Sequence, residues 1–233
     1  MCRMIFAQGS FDPRAIFDAA AAMAAGRTAD HEGAFTEHPH GWGALWRDPG
    51  SPRGLAVLRD VQPAATAVPG CAVPEKTDFL AVHVRRAVLP STVGPQFTHP
   101  LEREADDWLF MHNGSQPTLY RLLGLPCSTF DSAEYFRYLV PEGAHRLDRD
   151  ETIRRLEAIP EPGSNSGNAI AVNRDRAYLI HWRSPNDDWP RYFTMQQLRT
   201  PDFRIVSSEV IPSLAPARHW QPVEPQSVLE FEF

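Results

Sequence analysis

Residues suited to acyl-transfer chemistry stand at several places along the chain. Cys2 is the first of them. If Met1 is removed, which a small second residue permits, Cys2 carries a thiol and a free α-amine on one framework. An α-amine has a pKa near ~7.7–8.0, so part of it is unprotonated at neutral pH and it can serve as general base for its own thiol. The run Phe79–Val88 ends on Arg85 and Arg86, and the planar guanidinium suits bidentate recognition of a carboxylate. A solvated strand end is the plainer account of the same arginines. Trp108–Gly114 reads as a strand followed by Asn113-Gly114. That dipeptide is a common tight turn. It also offers two donors, the Asn side-chain amide and the Gly backbone N–H, that can converge on a developing oxyanion. Ser128–Phe136 opens a helix in which Asp131 or Ser132 is an N-cap, or Asp131 binds a substrate ammonium.

These residues need elements to position them. Cys2–Gln8 is an apolar run expected to be a buried strand, followed by a turn over residues 9–13 and a helix over Ala15–Ala25 that stops at Gly26. Residues 27–40 read as a loop. Strands are expected at Gly41–Arg47, Gly54–Arg59, Phe79–Val88 and Trp108–His112, with proline-rich connections between them. Helices are expected near Pro117–Leu123, Asp131–Leu139 and Asp150–Ala158, then a flexible loop over Glu161–Asn168. Strands resume at Ala169–Asn173, Ala177–Trp182, Arg191–Met195, Phe203–Ser207 and Val228–Phe233. Strands, then helices, then strands again is the order of α+β layers with mostly antiparallel sheets rather than of repeated βαβ units.

Composition narrows the function classes. The chain has 233 residues, 42% of them hydrophobic, which is enough for one good-sized core, and 22 prolines argue against a helical bundle. No shift in composition marks a boundary, so residues 1–233 are expected to form a single domain. The net charge of −6 and the lack of a basic patch give no support to nucleic-acid binding. Cys2, Cys71 and Cys127 are too few and scattered for a disulfide framework or a zinc-knuckle spacing. The N-terminus lacks the basic and long apolar regions of a signal peptide, and stretches such as Val61–Pro74 are too short and proline-broken to span a bilayer. The expected location is the cytoplasm.

In their order, these pieces resemble the class II glutamine amidotransferases, members of the N-terminal nucleophile hydrolases. Met1-Cys-Arg-Met-Ile-Phe resembles the start of the stand-alone members, and His38–Trp46 their Gly-Trp-Gly strand. His83-Val-Arg-Arg-Ala87 is similar to their His-x-Arg-x-Ala segment, and Phe97-Thr-His-Pro100 to their Asn-x-His-Pro-Phe. His112-Asn-Gly114 matches outright, Asp131-Ser132 resembles their Thr-Asp-Ser-Glu, and Ile205–Glu209 resembles a late Ser-Glu strand. The resemblance implies a four-layer αββα sandwich and no cofactor. It implies Cys2 as nucleophile, Asn113 and Gly114 as oxyanion donors, Arg85 on the substrate α-carboxylate and Asp131 on its α-ammonium. Hydrolysis of a γ-glutamyl amide would then run through a glutamyl thioester, releasing glutamate and ammonia or an amine.

The sequence also departs from that pattern. Val88 stands where a threonine hydroxyl is usual, Phe97 replaces an Asn, Leu101 an aromatic residue, and Phe130 and Ala133 replace the Thr and Glu around Asp131. These changes fall on the substrate pocket rather than on the nucleophile or the oxyanion donors. Two other outcomes of the same fold are a subunit that supplies ammonia to a separate synthase and an inactive binding or regulatory subunit. Outside this family, His31, His38 and His40 offer a metal-site alternative, though Glu37 points away from the face His38 and His40 would share on a strand. No metal is expected. Cys71 and Cys127 sit in proline-flanked loops without a neighbouring His.

Overall fold

The computed structural model describes residues 1–159 and 165–233. Its strands are β1 (Cys2–Gly9), β2 (Trp42–Arg47), β3 (Leu55–Asp60), β4 (Phe79–Arg85), β5 (Leu101–Arg103), β6 (Trp108–Ser115), β7 (Ser166–Val172), β8 (Arg176–His181), β9 (Gln196–Arg199), β10 (Phe203–Ser207), β11 (Trp220–Pro222) and β12 (Ser227–Glu232). The helices are α1 (Pro13–Ala24), α2 (Ala64–Ala67), α3 (Leu119–Leu122), α4 (Asp131–Leu139), α5 (Arg149–Glu157) and α6 (Pro190–Phe193).

Among the described residues the strands form two antiparallel sheets. One has the order β11-β9-β10-β1-β4-β2-β3 and the other β12-β8-β7-β6-β5. Strand periodicity sorts the side chains into three cores. From β1, Met4 and Phe6 enter the core between the sheets, where they meet Met111 of β6 and Ile170 of β7. Ile5 and Ala7 point to the opposite face, against Phe17 and the alanines of α1. On β6 the same alternation sends Leu109 and Met111 inward and Trp108 and Phe110 outward onto Tyr135 and Phe136 of α4. The layer sequence is α1, first sheet, second sheet, then α4 with α5. That is the α+β, αββα arrangement expected. Both faces of each sheet are covered, which is why Met4–Ala7 of β1 and Trp108–Met111 of β6 are continuous apolar runs instead of alternating ones.

Local chemistry sets several of these elements. The Asp12 side chain caps α1 by accepting from the Arg14 N–H, Pro13 occupies the first turn, and Gly26 beyond the helix has φ +71°. Gly43 in β2 has a different purpose: a Cβ there would lie 2.1 Å from the His99 carbonyl oxygen, so only glycine lets the His99 segment cross this strand.

Four expectations need correction. Asn113-Gly114 is not a turn, because β6 runs on to Ser115 with Asn113 opposite Asn168 and Gly114 opposite Gly167. Sheet pairing overrides the local turn preference. The flexible loop expected over Glu161–Asn168 gives way to β7 from Ser166 onward, while residues 161–164 lie outside the described residues. The strand expected at Arg191–Met195 is instead the short helix α6, with strand β9 starting at Gln196. The strand begun at Phe79 ends at Arg85 rather than Val88.

Candidate active site

The site lies where the ends of β1, β4 and β6 meet the start of α4. Register places Cys2 opposite Arg85 on the first sheet. The Cys2 backbone N–H donates to Asn113 Oδ1 of the second sheet at 3.0 Å, a bridge across the sandwich. That bond fixes the amide orientation: with Oδ1 accepting, Nδ2 is the free donor. Asn113 is fully buried, and its Nδ2 has no partner. A buried amide donor left without a bond is costly and uncommon. Here it belongs to the side chain that accepts from the Cys2 backbone.

Gly114 follows on the same strand. A Cβ at this position would lie 1.7 Å from the Ser166 carbonyl oxygen, so β7 presses on the backbone too closely for any side chain. Strand β5 pairs with β6 only from Trp108 to Phe110, which leaves that edge of β6 uncovered by β5 at Asn113 and Gly114. The next carbonyl groups are tied down: Ser166 Oγ donates to the Asn113 oxygen at 3.0 Å, and Gln116 Nε2 to the Ser166 oxygen at 2.9 Å.

Three influences act on the Cys2 thiol. Burial, the largest, pushes its pKa up. The charge of His83, reinforced by its hydrogen bond, and the charges of the chain's amino terminus and Arg85 outweigh burial and bring the thiol down to about 6. At neutral pH the sulfur is then mostly thiolate, the nucleophilic form. His83 is oriented from behind by donating from Nε2 to the His112 carbonyl oxygen at 3.0 Å. His112 is held neutral, its pKa lowered by burial to about 4, with Ser132 Oγ 3.0 Å from Nδ1 and the Ser166 oxygen 3.3 Å from Nε2. That pairing fits a ring protonated on Nε2.

Cys2, Arg85, Gly114 and Asp131 all border one cavity of about 300 Å³. Arg85 is 4% exposed, and its Nη1 has no hydrogen-bond partner. Burial lowers its pKa below the usual guanidinium value, and Cys2 and Asp131 offset part of that shift. Asp131 sits in the first turn of α4, where Oδ2 accepts from the Gln116 backbone N–H. An unpaired cation and a carboxylate thus face the same space as the thiol. The cavity also takes in His99, whose two ring nitrogens are buried without partners and whose ring lies 4.2 Å from that of His83.

All of the predicted site residues therefore meet here. His83 enters the sequence reading only as part of the His-x-Arg-x-Ala resemblance and is given no role, although it stands two residues before Arg85 on one strand and so on the same face. Sequence reasoning gave no sign of Gln116 or Ser166, which reach the site through pairing of distant strands. The departures are placed as well. Val88 is 65% exposed at the cavity rim. Phe97 and Phe130 pack on each other at 4.9 Å and flank the Arg85 guanidinium at 6.0 and 5.8 Å. Ala133 is exposed and Leu101 half-buried in β5. Two of the substitutions thus form an aromatic wall around the arginine.

The alternative sites are not assembled. His38 Nε2 lies 3.3 Å from the Tyr192 hydroxyl and His40 Nδ1 accepts from the Ala87 N–H. Among the described residues no group of three or more His, Cys, Asp or Glu side chains is placed to hold a metal ion. Nor is any helix among them long and apolar enough to cross a membrane.

Comparison with known proteins places the family and the fold. The family model of class II glutamine amidotransferases matches residues 17–168, and the chain belongs to that family. The match takes in Arg85, Asn113, Gly114 and Asp131 but starts beyond Cys2. Among solved structures, the glutamine phosphoribosylpyrophosphate amidotransferase from B. subtilis, complexed with ADP and GMP, superposes with a TM-score of 0.61 at 12% identity, over 99% of this chain and 49% of that one. A structure described as the allosteric regulatory enzyme of purine biosynthesis gives 0.65 at 13% identity, again over 99% and 49%. The chain thus spans about half the length of both. A glutamine aminotransferase class-II domain protein from Silicibacter pomeroyi gives 0.56 at 16% identity, over 100% of this chain and 99% of that one. At such identities the likeness is one of fold. No curated protein matches the chain by sequence.

Proposed function

We propose that this chain, once Met1 is removed, hydrolyses a γ-glutamyl amide through a glutamyl thioester on Cys2. The observation that carries the reading is the unpartnered Nδ2 of buried Asn113, on the side chain that the Cys2 nitrogen bonds through Oδ1. With the thiol proton already held by the α-amine, Cys2 Sγ attacks the γ-carboxamide carbon as the thiolate. The displaced π electrons move onto the carbonyl oxygen, where Asn113 Nδ2 and the Gly114 N–H receive the charge. Collapse breaks the C–N bond, and the proton on the α-ammonium passes to the leaving nitrogen. Water then attacks the thioester, again with the amine taking the proton, and glutamate leaves as the thiolate is regenerated. Arg85 pairs with the α-carboxylate and Asp131 with the α-ammonium of the substrate. The amine keeps its acceptor throughout, since the Cys2 nitrogen already donates to Asn113.

The test is labelling with 6-diazo-5-oxo-norleucine, a glutamine-shaped electrophile, read by intact mass and peptide mapping on protein that begins at Cys2. One adduct on Cys2, with glutamate release lost in Cys2→Ala and kept in Cys71→Ala, supports the reading. Turnover that survives Cys2→Ala ends it. Release of ammonia into bulk solvent at the rate of glutamate favours simple hydrolysis over delivery to a separate synthase.

A further inference from the structure

We infer that the space filled here by the Met1 side chain becomes, in the processed chain, the subsite for the leaving amine, and that it takes an amine with an apolar substituent. This rests on the hydrolytic reading above and names its substrate class.

Met1 is only 8% exposed, and it packs against Tyr192 and Phe193, with Phe35 and Trp189 closing the cluster. The rings contact one another: Phe35 and Trp189 lie 5.6 Å apart, Trp189 and Tyr192 5.7 Å, and Tyr192 and Phe193 4.9 Å. The Met1 ammonium donates to the Arg86 carbonyl oxygen at 2.7 Å. Met1 borders the same cavity as Cys2, Arg85 and Asp131 and also packs on the aromatic cluster, so its removal opens that cavity toward the rings.

The chemistry of the second half-step connects the two spaces. The group that protonates the leaving nitrogen has to lie within hydrogen-bond reach of it, and that group is the Cys2 nitrogen. One direction around that nitrogen is occupied by Asn113 Oδ1 and another by Met1 itself. With Met1 gone, the directions left for proton delivery open onto the Met1 space and the cavity it borders. A leaving amine placed there directs its substituent among the four aromatic rings. Its N–H finds the Arg86 carbonyl oxygen that now holds the Met1 ammonium. An n-butyl chain matches the Met side chain in length and polarity.

The experiment compares glutamine, γ-glutamyl-n-butylamide and its ether isostere γ-glutamyl-2-methoxyethylamide as substrates of protein shown by mass to begin at Cys2. The butylamide is expected to exceed the ether in kcat/KM by roughly tenfold, the discrimination an apolar pocket gives. Trp189→Ala and Phe35→Ala, both at half-buried positions, are each expected to lower that ratio by about threefold or more. Equal rates for the two amides, with glutamine still hydrolysed, overturn the subsite and leave the hydrolytic reading standing. A ratio unmoved by both substitutions also overturns it. Failure to release glutamate from any of the three overturns both.

Discussion

Asn113→Asp separates the two duties of Asn113. The replacement is nearly isosteric and retains an oxygen to accept from the Cys2 nitrogen, now 3.0 Å away. It removes the unpartnered side-chain donor Nδ2 and puts an acceptor in its place. Asn113→Ala would be less informative, since the buried Cys2 nitrogen would lose its acceptor too, at a cost of about 1–3 kcal/mol in stability. In the proposed reaction two donors, Asn113 Nδ2 and the Gly114 N–H, share the oxyanion, and loss of one costs roughly 10²–10³ in kcat, or about 2.7–4 kcal/mol. The donor acts on charge that develops only in the transition state. KM should therefore change little while kcat and kcat/KM fall together. A new carboxylate beside Cys2 also disfavours the thiolate, so the thiol pKa should rise from about 6. The assay is glutamate release under saturating substrate, with iodoacetamide alkylation of Cys2 followed against pH. A kcat within threefold of the parent would refute the oxyanion assignment. So would a loss confined to KM.

Two further outcomes follow from the same geometry. Gly114→Ala places a methyl group 1.7 Å from the Ser166 carbonyl oxygen, so β6 and β7 must separate locally; urea unfolding should show a loss of about 1–3 kcal/mol together with loss of glutamate release. Stability should also fall as pH drops from about 6.5 to 4. His112 and His181 are buried neutral, each with its pKa lowered by burial to about 4 against the ordinary 6.5. Between those values the unfolded chain binds protons that the folded chain does not, so the stabilisation is complete above 6.5 and is lost toward 4. His181 Nδ1 bonds to Asn168 Oδ1 at 2.8 Å while Nε2 has no partner, so His181→Gln should flatten part of the profile in urea titrations at stepped pH. An unchanged profile would mean that other groups govern the acid limb.

The amino-acid sequence by itself determined the apolar runs, the α+β layering, and the residue types at Cys2, Arg85, Asn113, Gly114 and Asp131. These are properties of local pattern: strand runs without alternation announce sheets covered on both faces, and ordered motifs mark a chemistry. Whether Asn113-Gly114 turned or extended lay outside that pattern. The dipeptide prefers a turn in isolation, and only pairing with Asn168 and Gly167, more than fifty residues away, keeps it in a strand. The same pairing made Ser166–Asn168 a strand despite its Ser, Gly and Asn content, and it brought Gln116 and Ser166 to the site. Likewise, Arg191–Met195 has strand-like composition, but Pro190 opens a short helix whose Tyr192 and Phe193 pack around Met1. The acidity of Cys2 was the furthest from view. It is a balance between burial and the charges of His83, the amino terminus and Arg85, and that balance exists only once two strands from separate parts of the chain lie side by side. Residue type supplied the thiol, and tertiary structure brought its pKa down to about 6, because Coulomb interactions depend on distances that no local sequence pattern encodes.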